Sequence, residues 1–214
     1  MTEPTAAFPI RTATPDQVRG YFAPLMVAFG DELTDAQFED WSRTIEPDRL
    51  IAAFDGDVPV GTAGAYTFRM TVPGGVEVPA AGVTLVGVEP GHRRRGVLRA
   101  LMRHQLDDVR ERGEPVAILW ASESAIYQRF GYGLGTLSGS FEIDRARTAW
   151  LRPWEAEGRM RLVGVDEALA TFPAVYERMR AVTPGALTRT SDWWRWGLLH
   201  DAEHMRRGAG PKFR

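Results

Sequence analysis

The chain has 214 residues, 44% of them hydrophobic and 25% charged, the balance of a soluble globular protein with room for one full domain and part of another. A formal net charge of -2 and a pI near 6.1 exclude the overall positive field that draws a chain onto nucleic acid or anionic lipid. The absence of cysteine removes disulfides, thiolate metal sites and cysteine nucleophiles. With no signal-peptide pattern at the start and no stretch reaching the roughly 18 apolar residues of a membrane span, a cytoplasmic protein engaging neither nucleic acid nor membrane is expected.

Phe8 to Thr14 reads as a short first strand, and Thr14-Pro15-Asp16 opens a helix carrying Val18, Tyr21, Phe22, Leu25, Met26 and Phe29 on one face, with Pro24 expected to interrupt it. Phe38, Trp41 and Ile45 mark a second helix over residues 35–45, closed by Pro47. Leu50 to Phe54, the turn Asp55-Gly56-Asp57 and Val58 to Val72 predict a hairpin, and after Val72-Pro73-Gly74-Gly75 a strand returns over residues 76–88. Leu98, Leu101, Met102, Leu106 and Val109 form a helical stripe within residues 95–112.

Val116 to Trp120 is a continuous apolar run that suits a fully buried strand, placed parallel to the preceding one by a right-handed crossover. Ser124 to Phe130 predicts one or two helical turns ended by Gly131, and Gly133 to Ile143 a last strand. Residues 144–158, charged and containing Pro153, predict a linker. Met160 to Val165 then reads as a strand and Asp166 to Val182 as a helix, repeating the opening of the chain. The expected organisation is therefore a first domain over 1–143, a linker over 144–158, and the incomplete start of a related domain over 159–214, as in a piece of a longer protein. The fold class is α/β in the broad sense (α+β), with a mixed, mostly antiparallel sheet flanked by helices.

Chemistry concentrates in Val83 to Arg99, VTLVGVEPGHRRRGVLR. A strand ends at Glu89-Pro90-Gly91, a basic loop follows, and a helix begins at once. Free backbone N–H groups and the positive end of the dipole at such a helix start suit a diphosphate. Gly96 allows close backbone approach, and Arg93, Arg94 and Arg95 add charge-assisted hydrogen bonds. Those arginines equally suit a solvated basic face, although positive charge at a helix N-terminus is unfavourable to the helix and so argues for an anion. Neither a dinucleotide fingerprint nor a Walker loop is present.

The run Arg93 to Leu98, RRRGVL, resembles motif A of the GNAT acetyltransferases. VEPGHRRRGVLRALM together with ASESAIYQRFGYG resembles more closely the enhanced intracellular survival (Eis) family within them, where a leucine at position 98 is normal. The resemblance implies a GNAT fold followed by the start of a second GNAT-like region, with acetyl-CoA as co-substrate. Leu85, Val86, Gly87 and Val88 would pair with the pantetheine arm. Arg93, Arg94, Arg95, Gly96, Val97, Leu98 and Arg99 would take the pyrophosphate, and Ser122 and Glu123 would line the path. Tyr127 would be the general acid, its phenol of pKa about 10 protonating the departing thiolate. Phe29, Asp31 and Trp41 would form an aromatic and acidic pocket for a cationic amine.

On this reading the chain is an N-acetyltransferase acting by direct attack on a small polycationic amine, aminoglycoside-like or a polyamine, and a homo-oligomer when full length. The proton acceptor is expected at the end of a longer chain, with Asp31, Glu123 and His92 as the local substitutes. A non-catalytic acyl-CoA-binding sensor and an assembly module of the same fold are the alternatives. No metal is expected: His92, His104, His200 and His204 contain no H-E-x-x-H pair, and His200 with His204 suits a solvated helix end. Three tryptophans in Ser191 to Trp196 suit an interface.

Overall fold

The computed structural model describes residues 8–152, 155, 157–203, 206 and 210. Five strands form one sheet in sequential order: β1 (Ile10–Thr12), β2 (Leu50–Asp55), β3 (Val58–Thr71), β4 (Glu77–Val88) and β5 (Val116–Leu119). The first three pairings are antiparallel and β4 runs parallel to β5, so the mixed, mostly antiparallel sheet is present. Between β1 and β2 lie α1 (Val18–Tyr21), α2 (Ala23–Phe29) and α3 (Asp35–Ser42). The crossover between β4 and β5 is α4 (Val97–Glu111), followed later by α5 (Ser124–Tyr127) and α6 (Val165–Arg180).

Alternation along β2 sorts the core onto two faces. Leu50, Ala52 and Phe54 meet Val18, Tyr21, Phe22, Leu25 and Met26 of α1 and α2. Ile51 and Ala53 face the other way, onto Val97 and Leu101 of α4, as a period of two requires. The expected interruption of the first helix falls at Phe22, two residues before Pro24, and Gly30 at φ 67° ends α2 in the left-handed region. A capping box starts α3, the Gln37 N–H donating to Thr34 Oγ1 at 3.2 Å and the Thr34 N–H to Gln37 Oε1 at 2.9 Å.

Four expectations are corrected. The helix predicted to Ile45 stops at Ser42. The run Val116–Leu119 is half-buried rather than fully buried, because among the described residues β4 is its only strand neighbour. No strand forms over 133–143 or over 160–164; among the described residues nothing covers Leu134, Leu137, Phe141 or Met160, all exposed. A strand without a pairing edge leaves its backbone groups to water. The linker predicted over 144–158 holds only a short 3-10 turn at Arg145–Arg147, and residues 153, 154 and 156 lie outside the described residues. The C-terminal part is nonetheless tied to β3 and β4: the Thr71 N–H of β3 donates to Ala186 O at 2.9 Å, the Thr188 N–H to Arg69 O of β3 at 2.9 Å, and Arg180 Nη2 to Glu77 Oε1 of β4 at 2.8 Å.

One buried ion pair joins the helix layer to the sheet. Arg49, ahead of β2, donates from Nη1 to Glu114 Oε1 at 2.7 Å and from Nη2 to Glu114 Oε2 at 2.5 Å, with side chains 0% and 4% exposed. Arg49 Nη1 also reaches Thr67 Oγ1 at 2.8 Å. Because loss of one partner strands the other charge in the core, Glu114→Ala should cost about 3–5 kcal/mol. Replacing both by packed apolar residues, Arg49→Met with Glu114→Leu, should cost far less; urea denaturation of the two variants measures the difference.

Candidate functional site

β4 changes character halfway along. Its pairing with β5 covers only Ala80–Val83, opposite Val116–Leu119, whereas β4 itself continues to Val88. From Thr84 to Val88 the edge turned away from β3 meets no strand among the described residues. On the β3 side a bulge intervenes, since Thr62 pairs with Gly87 and Gly64 with Thr84, setting Leu85 and Val86 against Ala63 alone. Leu85 adopts φ 53° there, a left-handed conformation that redirects the strand.

Beyond β4 a 3-10 turn (Pro90–His92) leads into the basic loop, where Arg94 has φ 62° and Gly96 φ 90°. Only the glycine takes that conformation without strain. No side chain caps α4, so its first N–H groups point outward beside the open edge. A cavity of about 450 Å³ joins these features and is lined by Val86, Gly87 and Val88, by Arg93, Arg94, Gly96, Val97, Leu98 and Arg99, and by Ser122, Glu123 and Tyr127. Phe29 reaches its rim from the end of α2. Arg93, Arg94 and Arg99 form no ion pair among the described residues, and the three line this space with one carboxylate, Glu123. His92, read from the sequence as a substitute base, also lines it, whereas Ala28, Ile126, Arg129 and Phe130 were not singled out as lining residues; the i, i+4 spacing of Ile126 and Phe130 was the available signal.

Tyr127 closes α5 next to Tyr132, their rings edge-on at 5.8 Å. Burial pushes its phenol up from the ordinary tyrosine value, and the Glu123 carboxylate adds to this. Tyr132, whose hydroxyl is buried without a hydrogen-bond partner, is pushed up to about 12 by burial and by Tyr127. Both phenols are therefore protonated at neutral pH.

The residues read as one substrate pocket are spread over three places. Trp41 lines a second cavity, of about 280 Å³, together with Asp40, Tyr66, Leu85, Trp193 and Trp196; Phe29 belongs to the first cavity. Asp31 lines neither, its Oδ1 accepting from the Glu32 N–H at 2.9 Å. Trp193 comes from a π-helical segment, Trp193–Leu199, and stacks on Phe68 at 5.8 Å and 9°. Nearby His200 Nε2 lies 2.9 Å from Asp40 Oδ1 and the His200 ring edge-on to Trp196, so His200 is not the solvated helix end expected; His204 is outside the described residues. Leu85, at the bulge, lines the second cavity while Val86, Gly87 and Val88 line the first. Arg95 lines neither cavity.

Residues 9–135 match the acetyltransferase (GNAT) domain family, and the chain belongs to that family. An uncharacterised N-acetyltransferase of Streptomyces avermitilis is 44% identical over 94% of this chain and 50% of its own length. The N-acetyltransferase Eis of Mycobacterium tuberculosis is 38% identical over 85% of this chain and 47% of its own. The crystal structure of Eis1 from Mycobacterium abscessus superposes with a TM-score of 0.73 at 39% identity, over 90% of this chain and 48% of that one. The fold is thus the GNAT fold and the resemblance to Eis proteins extends well beyond the two motifs. The chain spans about half the length of the curated relatives it matches.

The site depends on how closely α4 approaches β3. A Cβ on Gly61 would stand 2.7 Å from Val97 Cγ1 and 3.2 Å from Leu101 Cδ1, both fully buried. Gly61→Ala must therefore push back the first residue of α4. A loss of about 1–3 kcal/mol in chemical denaturation is expected.

Proposed function

We propose that the chain binds acetyl-CoA in the first cavity and transfers its acetyl group to a primary amine entering through the second. The observation that carries this is the open β4 edge beside an uncapped helix start. Free strand N–H and C=O groups over Thr84–Val88 suit the amides of a pantetheine arm, as an added strand would. The outward N–H groups of α4 with Arg93, Arg94 and Arg99 suit a pyrophosphate. Gly96, Val97, Leu98, Ser122 and Glu123 complete the path read from the sequence, whereas Leu85 turns to the second cavity and Arg95 lines neither.

Bound acetyl-CoA supplies an electrophilic thioester carbonyl. The acceptor amine forms the new C–N bond as the C–S bond breaks, and Tyr127, in the lining of the same cavity, would give its proton to the departing sulfur. Its raised pKa keeps that proton available. Glu123 is the carboxylate in the same cavity and the local group that would take the ammonium proton. Trp41, Tyr66, Trp193 and Trp196 with Asp40 support a cationic acceptor, since aromatic faces and a carboxylate both attract one. A polyamine or aminoglycoside-like amine is the proposed class. Residues 159 onward would begin a second GNAT-like region. A sensor that binds acyl-CoA without turnover remains the alternative to be tested.

Calorimetry with coenzyme A tests binding, and release of free thiol in the presence of a polyamine panel, using the longer gene product, separates enzyme from sensor. Tyr127→Phe should lower kcat by about 10²-fold or more with coenzyme A affinity nearly unchanged. A group raised above its ordinary value holds its proton until that higher pH. Loss of rate through tyrosine ionisation should consequently begin only above pH about 10, and an alkaline limb near neutrality abolished by the same substitution would reject the assignment. Trp41→Ala should raise KM for the amine and leave KM for acetyl-CoA within about twofold.

A further inference from the structure

Three consecutive arginines enter the loop before α4, and they are not used alike. Arg95 is turned out of the cavity: its guanidinium lies 4.9 Å from the Phe8 ring centroid and its Nη2 3.8 Å from Asp55 Oδ2. On the other side of the arginine pair, His92 Nε2 lies 3.1 Å from the same Asp55 oxygen and its ring meets the same Phe8 edge-on at 5.9 Å. Glu89 Oε2 stands 3.5 Å from His92 Nδ1. Phe8 is 4% exposed and belongs to the core cluster under α4. Residues 92 and 95 are thereby held to one carboxylate and one buried ring, while Arg93 and Arg94 between them line the cavity.

From this geometry we infer that Asp55, at the end of β2, is a positioning residue for anion recognition: by holding His92 and Arg95 it presents Arg93 and Arg94 to the pyrophosphate. The inference rests on the proposed coenzyme A site. Arg94 sits at φ 62°, a conformation that a non-glycine residue keeps only where its surroundings impose it, and the anchors at 92 and 95 bracket it. Three adjacent like charges would otherwise repel one another and sample many arrangements. Asp55 is not part of the cavity wall, and its own charge opposes anion binding. Positioning and simple electrostatics therefore predict opposite signs when that charge is removed.

The test is calorimetric titration of coenzyme A into the wild-type chain, Asp55→Ala and Asp55→Asn, with a melting curve of each. Asp55→Ala should weaken binding about fivefold, the scale of a partly exposed ion-pair network. Asp55→Asn keeps an oxygen for His92 and should bind within about twofold of wild type. Unchanged or tighter binding by Asp55→Ala, or an equal loss in both variants, overturns the positioning role. Should Asp55→Ala not fold, Asp55→Ser, too short to reach His92, replaces it with the same expectation. Failure of the wild type to bind coenzyme A overturns the functional reading and the inference together, whereas wild-type binding with an unaffected Asp55→Ala overturns the inference alone.

Discussion

Two parallel neighbours of unequal length govern this molecule. β4 continues to Val88 after β5 has stopped opposite Val83, and the backbone groups left over cannot be paired within the described sheet. Partly enclosed polar groups demand partners. The bulge at Leu85 adds a second consequence, because Leu85 is delivered to one cavity and Val86, Gly87 and Val88 to the other. One strand end thereby borders both the space that suits a long amide-bearing ligand and the aromatic space that suits a cation. The two are neighbours because a single irregular strand separates them.

Much of this arrangement was legible in local sequence. The hairpin at Gly56, the stripe of α4 and the glycine-bearing loop before it all follow from short-range period and turn chemistry, and each is present, whereas the two faces of β2 are hidden in a run that is apolar throughout. What was misread depends on partners far along the chain. Val116–Leu119 has the composition of a buried strand but lies half-buried, because among the described residues no strand borders its outer side. Gly133–Ile143 and residues 160–164 have strand composition and, among the described residues, pair with no strand edge. Trp193 stacks on Phe68 across more than a hundred residues, a contact no local pattern encodes, and with Tyr66 and Asp40 it brought residues to the second cavity that spacing alone did not single out. The three arginines are indistinguishable in sequence; only Phe8 and Asp55, both distant from them in the chain, separate Arg95 from Arg93 and Arg94.

The same end of the sheet is pinched from both faces, and glycine makes this possible. Gly87 of β4 would place a Cβ 3.1 Å from the Leu25 Cα, so α2 rests directly on the strand. Gly61 plays the corresponding role beneath α4, and it pairs with Val88, next to the pairing of Thr62 with Gly87. Close approach on one face brings Ala28 and Phe29 to the cavity; on the other it brings Val97 and the start of α4. Gln105 of α4 donates to Gly64 O at 2.8 Å, fixing the helix at a carbonyl adjacent to the bulge. Two helices held this near a strand whose edge is open form a slot only because neither glycine carries a side chain. The width of that slot is thus set by packing behind it, not by the polar residues that line it, which is why positions with no charge and no reactive atom bear on what the site can admit.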